Sequence, residues 1–261
     1  MSDLIPIYTV DSFTSEPFRG NSAGVCLLAE PATEHWMQSV AGELRHSETA
    51  FLLGRSLRWF TPVAEVALCG HATLATAHVL YTTSAASGVV EFDTLSGTLM
   101  TQQDLHDGSI SMNFPALPAT EADPPAGLID AMGVRPIWVG RSKFDYLIEV
   151  ASVDEVLAAA PVFAELAKIE ARGVMLTAAS AEPGTDFVSR FFGPAVGVDE
   201  DPVTGSAHCT LAPYWSAKLG RPDLTGAQLS KRRGVVRTQL VDDRVKLSGH
   251  AVTVWSGQLQ I

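Results

Sequence analysis

The sequence predicts an α+β fold of two pseudo-symmetric halves, each a central α-helix wrapped by a highly curved, mostly antiparallel β-sheet or barrel. Three observations predict it. A strand–loop–helix pattern occurs twice, each copy leads into a helix rich in Ala, Leu and Thr, and the rest of the chain is mostly short strand-like runs separated by turn residues.

The first copy reads Arg58-Trp-Phe-Thr-Pro62, then Glu65, then Gly70-His71-Ala72 at the head of an apolar run that reaches Leu80. The second reads Arg190-Phe-Phe-Gly-Pro194, then Glu200-Asp201, then Gly205-Ser206-Ala207. From the acidic residue onward the copies keep one offset, so Glu65 matches Glu200, Gly70 matches Gly205 and His71 matches Ser206. A glycine at each helix entrance lets an anion approach backbone N–H groups at the positive end of the helix. The same glycine also eases a strand-to-helix turn, and the sequence leaves both readings open.

Taken in order, Ile5 to Phe13 alternates as a strand, Pro17 to Ser22 supplies Gly20 and Asn21 for a turn, and Ser22 to Leu28 suits a buried strand or a short helix. Thr33 is an N-cap for a helix over Glu34–Leu44, where Trp36, Met37, Val40, Ala41 and Leu44 recur at helical spacing. His46 to Leu52 reads as a strand that begins with Glu48. Arg58 to Phe60 is the strand of the first copy, and its helix ends near Tyr81. Gly88–Thr94, Gly97–Gln102 and Ser109–Phe114 form an antiparallel meander. The proline-rich stretch from Pro115 to Pro125 places a boundary there, giving halves 1–116 and 117–261, with the last strand free to return to the first half. The second half continues with strands at Ile137–Val139 and Tyr146–Val150, a helix over Val153–Ala160 and a helical turn around Val162–Lys168. Strands at Gly173–Leu176 and Asp186–Phe192 precede the repeat helix Ser206–Lys218. Strands at Gln228–Lys231, Gly234–Leu240, Arg244–Ser248 and Val252–Ile261 close the chain.

The chain has 261 residues, 46% of them hydrophobic, enough to bury cores for two domains of ordinary size. A formal charge of -11 argues against nucleic acid and anionic membranes as partners. The short basic cluster Lys231-Arg232-Arg233 reads as a solvated turn. Cys26, Cys69 and Cys209 are an odd, widely spaced set that does not form a disulfide framework. A reducing compartment fits, no secretory signal or membrane-length apolar run is visible, and a cytoplasmic location is expected.

Glu48, His71, Asp201 and Ser206 are the polar residues expected to meet, at a cleft toward which the two repeat helices point their entrances, with Gly70 and Gly205 offering backbone donors. Glu48 lies beside Ala50, Phe51 and Leu52. Partial burial there raises a carboxyl pKa toward neutrality and suits proton transfer, whereas an edge-strand position would leave it merely exposed. Metal binding has little support from local spacing, since no His-Glu-x-x-His or Cys-x-x-Cys occurs. Thr204-Gly-Ser-Ala207 lacks the last glycine of a serine-hydrolase elbow, and no nucleotide fingerprint appears. His78 and His208 read as helix histidines with local partners.

Four motifs together carry a resemblance: Phe18-Arg-Gly-Asn21, Ser47-Glu-Thr-Ala-Phe51, Leu68-Cys-Gly-His-Ala-Thr73 and Glu200-Asp-Pro-Val-Thr-Gly-Ser-Ala207. In these the sequence resembles the PhzF family of phenazine-biosynthesis-like proteins, essentially end to end. The resemblance implies the diaminopimelate-epimerase-like fold, a homodimer, and a cofactor-independent isomerase acting on a small carboxylated cyclic or unsaturated substrate. It implies Glu48 as the group that takes and returns a proton, with His71, Asp201 and Ser206 as polar partners and Ser47, Asn21, Gly70 and Gly205 near the substrate. Two departures stand out. Ser22 replaces the proline that usually follows the family's Gly-Asn. Cys69 occupies the place of one of the two thiol bases of related epimerases and racemases, while the second falls near Val203. The remaining alternatives are an epimerase or racemase using Cys69, and a non-catalytic metabolite-binding protein on the same fold.

Overall fold

The computed structural model describes residues 4–260. It divides into two compact units, one taking the chain up to Asn113 and again from Ser248, the other running from Phe114 to Leu247. No described helix is long and apolar enough to cross a membrane.

In the first unit, β1 (Ile5–Ser12), β2 (Asn21–Leu28), α1 (Glu34–Leu44), β3 (Glu48–Leu53), β4 (Ser56–Phe60), β5 (Glu65–Val66), α2 (Gly70–Thr82), β6 (Val89–Thr94), β7 (Gly97–Gln103) and β8 (Ile110–Pro115) follow one another, β8 ending just across the unit boundary. The C-terminal strand Ala251–Leu259 returns to pair antiparallel with β1. β1 and β2 are antiparallel, β2 and β3 parallel, β3 and β4 antiparallel, β4 and β6 parallel through one residue pair, and β6–β7–β8 form the meander. Each parallel step needs a crossover, and α1 and α2 supply them.

Thr33 caps α1, its hydroxyl accepting from the Trp36 N–H at 3.2 Å, and Arg45 ends it in the left-handed conformation at φ 55°. Met37, Val40 and Ala41 of α1 pack with Ile7, Cys26, Phe51 and Phe60. α2 is different: His71 to Ala77 and Val79 are all buried, so this helix is covered on nearly every side, as a central helix must be.

The second unit repeats the scheme with β9 (Thr120–Glu121), α3 (Leu128–Met132), β10 (Trp138–Arg141), β11 (Asp145–Glu149), α4 (Val153–Ala158), α5 (Phe163–Leu166), β12 (Gly173–Ala179), β13 (Phe187–Gly193), β14 (Val198–Asp201), α6 (Gly205–Leu219), β15 (Asp223–Gln228), β16 (Gly234–Val241) and β17 (Arg244–Gly249). Here β10 and β11 are antiparallel, β11 and β12 parallel, β12 and β13 antiparallel, β13 and β15 parallel, and β15 and β16 antiparallel. The order of pairing senses is that of β1 through β7. The duplication therefore extends beyond the motif to the strand pairings.

Side-chain alternation builds two cores from the same strands. Tyr146 and Ile148, Val174 and Leu176, and Val188 and Phe192 face a cluster with Leu128 and Met132 of α3 and Leu166 of α5. Their neighbours Leu147, Met175, Phe187 and Phe191 face Ala207, Leu211 and Trp215 of α6. Helices thus cover both faces, which is why these strands are apolar almost throughout.

The structure decides between the alternatives the sequence left at two places and corrects it at others. The sheet does not close into a barrel. Ser22–Leu28 belongs to a strand. The strand expected at Gln228–Lys231 is instead Asp223–Gln228, because Leu224, Gly226 and Gln228 alternate inward, and the following residues turn at Arg233, which has φ 58°. That turn carries the basic cluster. The short elements β5, β9, β14 and α3 were not anticipated; α3 lies between Gly127 and Gly133, both left-handed. Ile261, the end of the last expected strand, lies outside the described residues.

Candidate functional site

The repeated Arg-aromatic-Phe motif is a clamp. On a strand, residues i and i+2 share a face, so Arg58 lies over the Phe60 ring at 5.1 Å and Arg190 over the Phe192 ring at 4.8 Å. Each guanidinium then grips the acidic residue of the next strand through both oxygens. Arg58 donates to Glu65 at 2.6 Å twice, and Arg190 donates to Glu200 at 2.6 and 3.0 Å. These pairs fix the short strands from which the chain enters α2 and α6.

In the first unit three segments converge. β2 and β3 run parallel with Ala23 opposite Glu48, so Asn21, Ser47 and Glu48 all sit at the same end of the pair. Cys69, extended at φ −144° and ψ 111°, precedes Gly70, and His71 follows in the first turn of α2. Ser12 at the end of β1 donates its hydroxyl proton to the His71 carbonyl at 2.8 Å, and Thr73 donates to the Cys69 carbonyl at 2.6 Å.

The His71 ring is buried, and its hydrogen-bond partners assign the ring proton. Ser47 Oγ donates to Asn21 Oδ1 at 3.1 Å, which leaves the Asn21 NH2 group as the donor facing His71 Nδ1 at 3.3 Å. Nδ1 accordingly accepts, with Cys69 Sγ also 3.6 Å from it, and the hydrogen belongs on Nε2. Nε2 lies 3.2 Å from Glu48 Oε2, close but off the line of a hydrogen bond. Such contacts in an enzyme without substrate commonly tighten on binding. Burial, with a smaller push from His46, drives the His71 pKa down to about 3, so the ring is neutral at physiological pH. His46 is itself held by Thr9 at 2.9 Å and Ser22 at 3.3 Å.

Glu48 has no counterpart in the second unit. It opens β3 as Gly173 opens β12, and a Cβ at Gly173 would stand 2.3 Å from the Phe191 ring and 2.8 Å from the Phe192 carbonyl oxygen. The space that holds a carboxylate in one unit is filled by an aromatic ring in the other. Beside Gly173, Arg172 is committed to the buried Asp145, donating to its Oδ1 at 2.9 Å.

Asp201, Gly205 and Ser206 belong to the second unit, at the entrance of α6. Asp201 Oδ2 accepts from Thr204 Oγ1 at 2.5 Å. Gln228 ties the turn together: its Oε1 accepts from the Thr204 N–H at 2.8 Å, and its Nε2 donates to the Asp201 carbonyl at 2.8 Å and to Thr204 Oγ1 at 3.1 Å. Ser206 is half-buried and Gly205 buried. Of the two histidines expected to have local helix partners, His78 meets Thr253 at 3.1 Å and His208 Nδ1 donates to the Thr204 carbonyl at 2.9 Å.

Sequence reasoning singled out Glu48, His71, Ser47 and Asn21, and the structure brings these four together. It gave no role at the site to Ser12, Thr204 or Gln228. It also saw the paired Arg and Glu residues only as a pattern, although their alternation with an aromatic was a signal for a strand-borne clamp.

The family model for phenazine biosynthesis-like protein matches residues 10–257. An uncharacterized isomerase of Halalkalibacterium halodurans is 48% identical, over 97% of this chain and 98% of that protein. A solved PhzF-family phenazine biosynthesis protein from Enterococcus faecalis superposes with a TM-score of 0.94 at 34% identity, covering 99% of this chain and all of that one. A hydroxyproline epimerase from Agrobacterium vitis shares the fold at a TM-score of 0.63 and 11% identity, over 100% of this chain and 94% of that one. A match over nearly the whole chain, with the motif residues Asn21, Ser47, Glu48 and His71 gathered at one place, makes this protein a member of the phenazine biosynthesis-like PhzC–PhzF family.

Proposed function

We propose that the protein is a cofactor-independent isomerase that moves a proton on a small carboxylated cyclic or unsaturated substrate, with Glu48 taking and returning the proton. The observation that carries this reading is the contact between Glu48 and the N–H edge of a neutral, orientated His71. A general base must be ionised and orientated before it can take a proton, and a neighbouring donor can hold it so provided that donor is not itself an acid of similar strength. A neutral imidazole N–H does so. Protonated Glu48 then returns the proton to a second carbon, and the side chain ends as it began.

Asp201 and Ser206 are proposed to act with this group as polar contacts to the substrate, and Gly70 and Gly205 as sources of backbone N–H donors at helix entrances. The names of similar proteins, an isomerase and a PhzF-family protein among them, support the reaction class. Val203, at the place of a second thiol base, is fully buried and has no group that can carry a proton. That favours one-carboxylate transfer over a two-thiol epimerisation through Cys69.

Proton NMR in deuterated water on a panel of small cyclic and unsaturated carboxylates, beginning with a dihydro-hydroxyanthranilate, tests the proposal with wild type and Glu48→Gln side by side. Deuterium in the product, lost with Glu48→Gln, is the expected result. Tight binding of a small acid with no exchange would leave a metabolite-binding protein instead. The same reading expects a homodimer in the cytoplasm, and a monomer mass by light scattering would refute the dimer.

A further inference from the structure

Glu48, Cys69 and His71 have a second chemical identity: a carboxylate, a thiol and an imidazole, each contributing one ligand atom that lies within 4.8 Å of the other two. Tetrahedral zinc has Zn–S near 2.3 Å and Zn–N and Zn–O near 2.0–2.2 Å, which places N and S about 3.6 Å apart and N and O about 3.4 Å apart. The structure has Cys69 Sγ 3.6 Å and Glu48 Oε2 3.2 Å from ring nitrogens of His71. These are opposite nitrogens and a metal takes one. Closing the set on Nδ1, beside Cys69, displaces the Asn21 N–H from that nitrogen and asks Glu48, the least buried of the three side chains, to move by at most about 1.4 Å, from within 4.8 Å of the other ligand atoms to the tetrahedral spacing.

We propose that these three residues form a zinc site with a fourth position left open for water or a ligand. Charge supports zinc: one thiolate and one carboxylate neutralise a divalent ion, so the loaded site leaves no net charge in a largely buried position. Ligand type supports it too, since a mixed S, N and O set suits zinc and not magnesium or calcium, which take oxygen ligands. Local spacing in the sequence did not reveal the site because only Cys69 and His71 are close in the chain; the carboxylate arrives from β3. Binding requires Cys69 to lose its proton, so each zinc taken up releases at least one proton to the buffer. A consequence, resting on the function proposed above, is that zinc occupies the carboxylate used for proton transfer and switches the reaction off.

The test uses chelator-stripped full-length protein, titrated with zinc against a chromophoric chelator and, separately, with cobalt(II) as a spectroscopic probe. Expected are one zinc per chain, proton release in calorimetry across buffers of different ionisation enthalpy, and a thiolate-to-cobalt charge-transfer band. Cys69→Ser should abolish the band and weaken zinc binding more than about tenfold, whereas Cys209→Ser should change neither. Failure to take up stoichiometric zinc, or a cobalt complex of wild type without the thiolate band, overturns the site whether or not any variant folds. Binding is read without turnover, so a protein that proves inactive still decides the question. An active enzyme indifferent to one equivalent of bound zinc refutes the switch alone.

Discussion

Arg58 and Glu65 meet through two hydrogen bonds of 2.6 Å each, and Arg190 and Glu200 repeat the arrangement in the second unit. The gripped glutamate lies a few residues before the helix entrance in each case, so the clamp sets where Cys69 to His71 and Asp201 to Ser206 begin. Both guanidinium groups are mostly covered, Arg190 more so at 13% side-chain exposure against 30% for Arg58.

Breaking the more buried clamp should therefore cost more. Arg190→Gln strands Glu200, which is about as covered as Glu65 in the other clamp, and in addition loses the donors to the Val156 and Ala159 carbonyls. A loss of about 2–4 kcal/mol is expected, against about 1–2 kcal/mol for Arg58→Gln. Urea denaturation of both variants checks the order; equal losses would contradict it.

The Asn21 amide decides the His71 tautomer, because its NH2 group faces Nδ1. Asn21→Asp removes that donor and offers an acceptor, which moves the ring proton to Nδ1 and turns a bare Nε2 toward Glu48. Turnover should fall by roughly 10²-fold or more with the fold retained. The nitrogen-15 shifts of His71 report the tautomer directly, and an unchanged pattern would show that Asn21 does not set it.

Gln228 is fully buried and makes three hydrogen bonds at the α6 entrance. Gln228→Leu keeps most of the volume and strands the Thr204 N–H and the Asp201 carbonyl, for an expected cost of about 2–4 kcal/mol. Thermal unfolding with the proposed activity followed in parallel separates loss of the entrance geometry from loss of the fold. A variant as stable as wild type would show that water replaces the amide.

How much of this was legible in the sequence depends on the range of the interaction. The duplication was readable because Gly70 and Gly205, with their acidic partners, recur at one offset, and the strand pairings follow it. The α1 cap at Thr33 was readable because capping is local. Gln228 was not, because a single polar residue in a strand carries no sign of the turn it braces. The absence of a second Glu48 was equally hidden: Gly173 is explained only by the Phe191 ring that fills its place. Glu48 and His71 were expected to meet, but spacing could not show that Cys69 comes within reach of the same carboxylate, since strand register and not sequence proximity brings Glu48 in.

Thiol chemistry should be selective. Burial pushes the pKa of Cys26 and of Cys209 up to about 12, so both stay protonated and unreactive in the native protein. Mass spectrometry after brief alkylation at neutral pH should find neither labelled, with both labelled once the protein is denatured. Native labelling at Cys26 would show that β2 opens on the timescale of the reagent.

His208 sets a pH limit on stability. Burial lowers its pKa from 6.5 to about 4, opposed in part by its hydrogen bond to the Thr204 carbonyl. The unfolded chain takes up a proton below about pH 6.5, while the folded protein does not until about pH 4. Between those values the unfolded state binds more protons, so stability falls as the pH is lowered through that window and this residue adds no further loss below it. The contribution is on the order of 3 kcal/mol for a shift of this size. His208→Gln keeps a donor for the Thr204 carbonyl and removes the titration. Urea denaturation of wild type and variant at pH values across the window should show the variant with the shallower slope. Parallel slopes would mean that His208 gains a proton in the folded state as readily as in the unfolded chain, and that its burial is relieved by water reaching the ring.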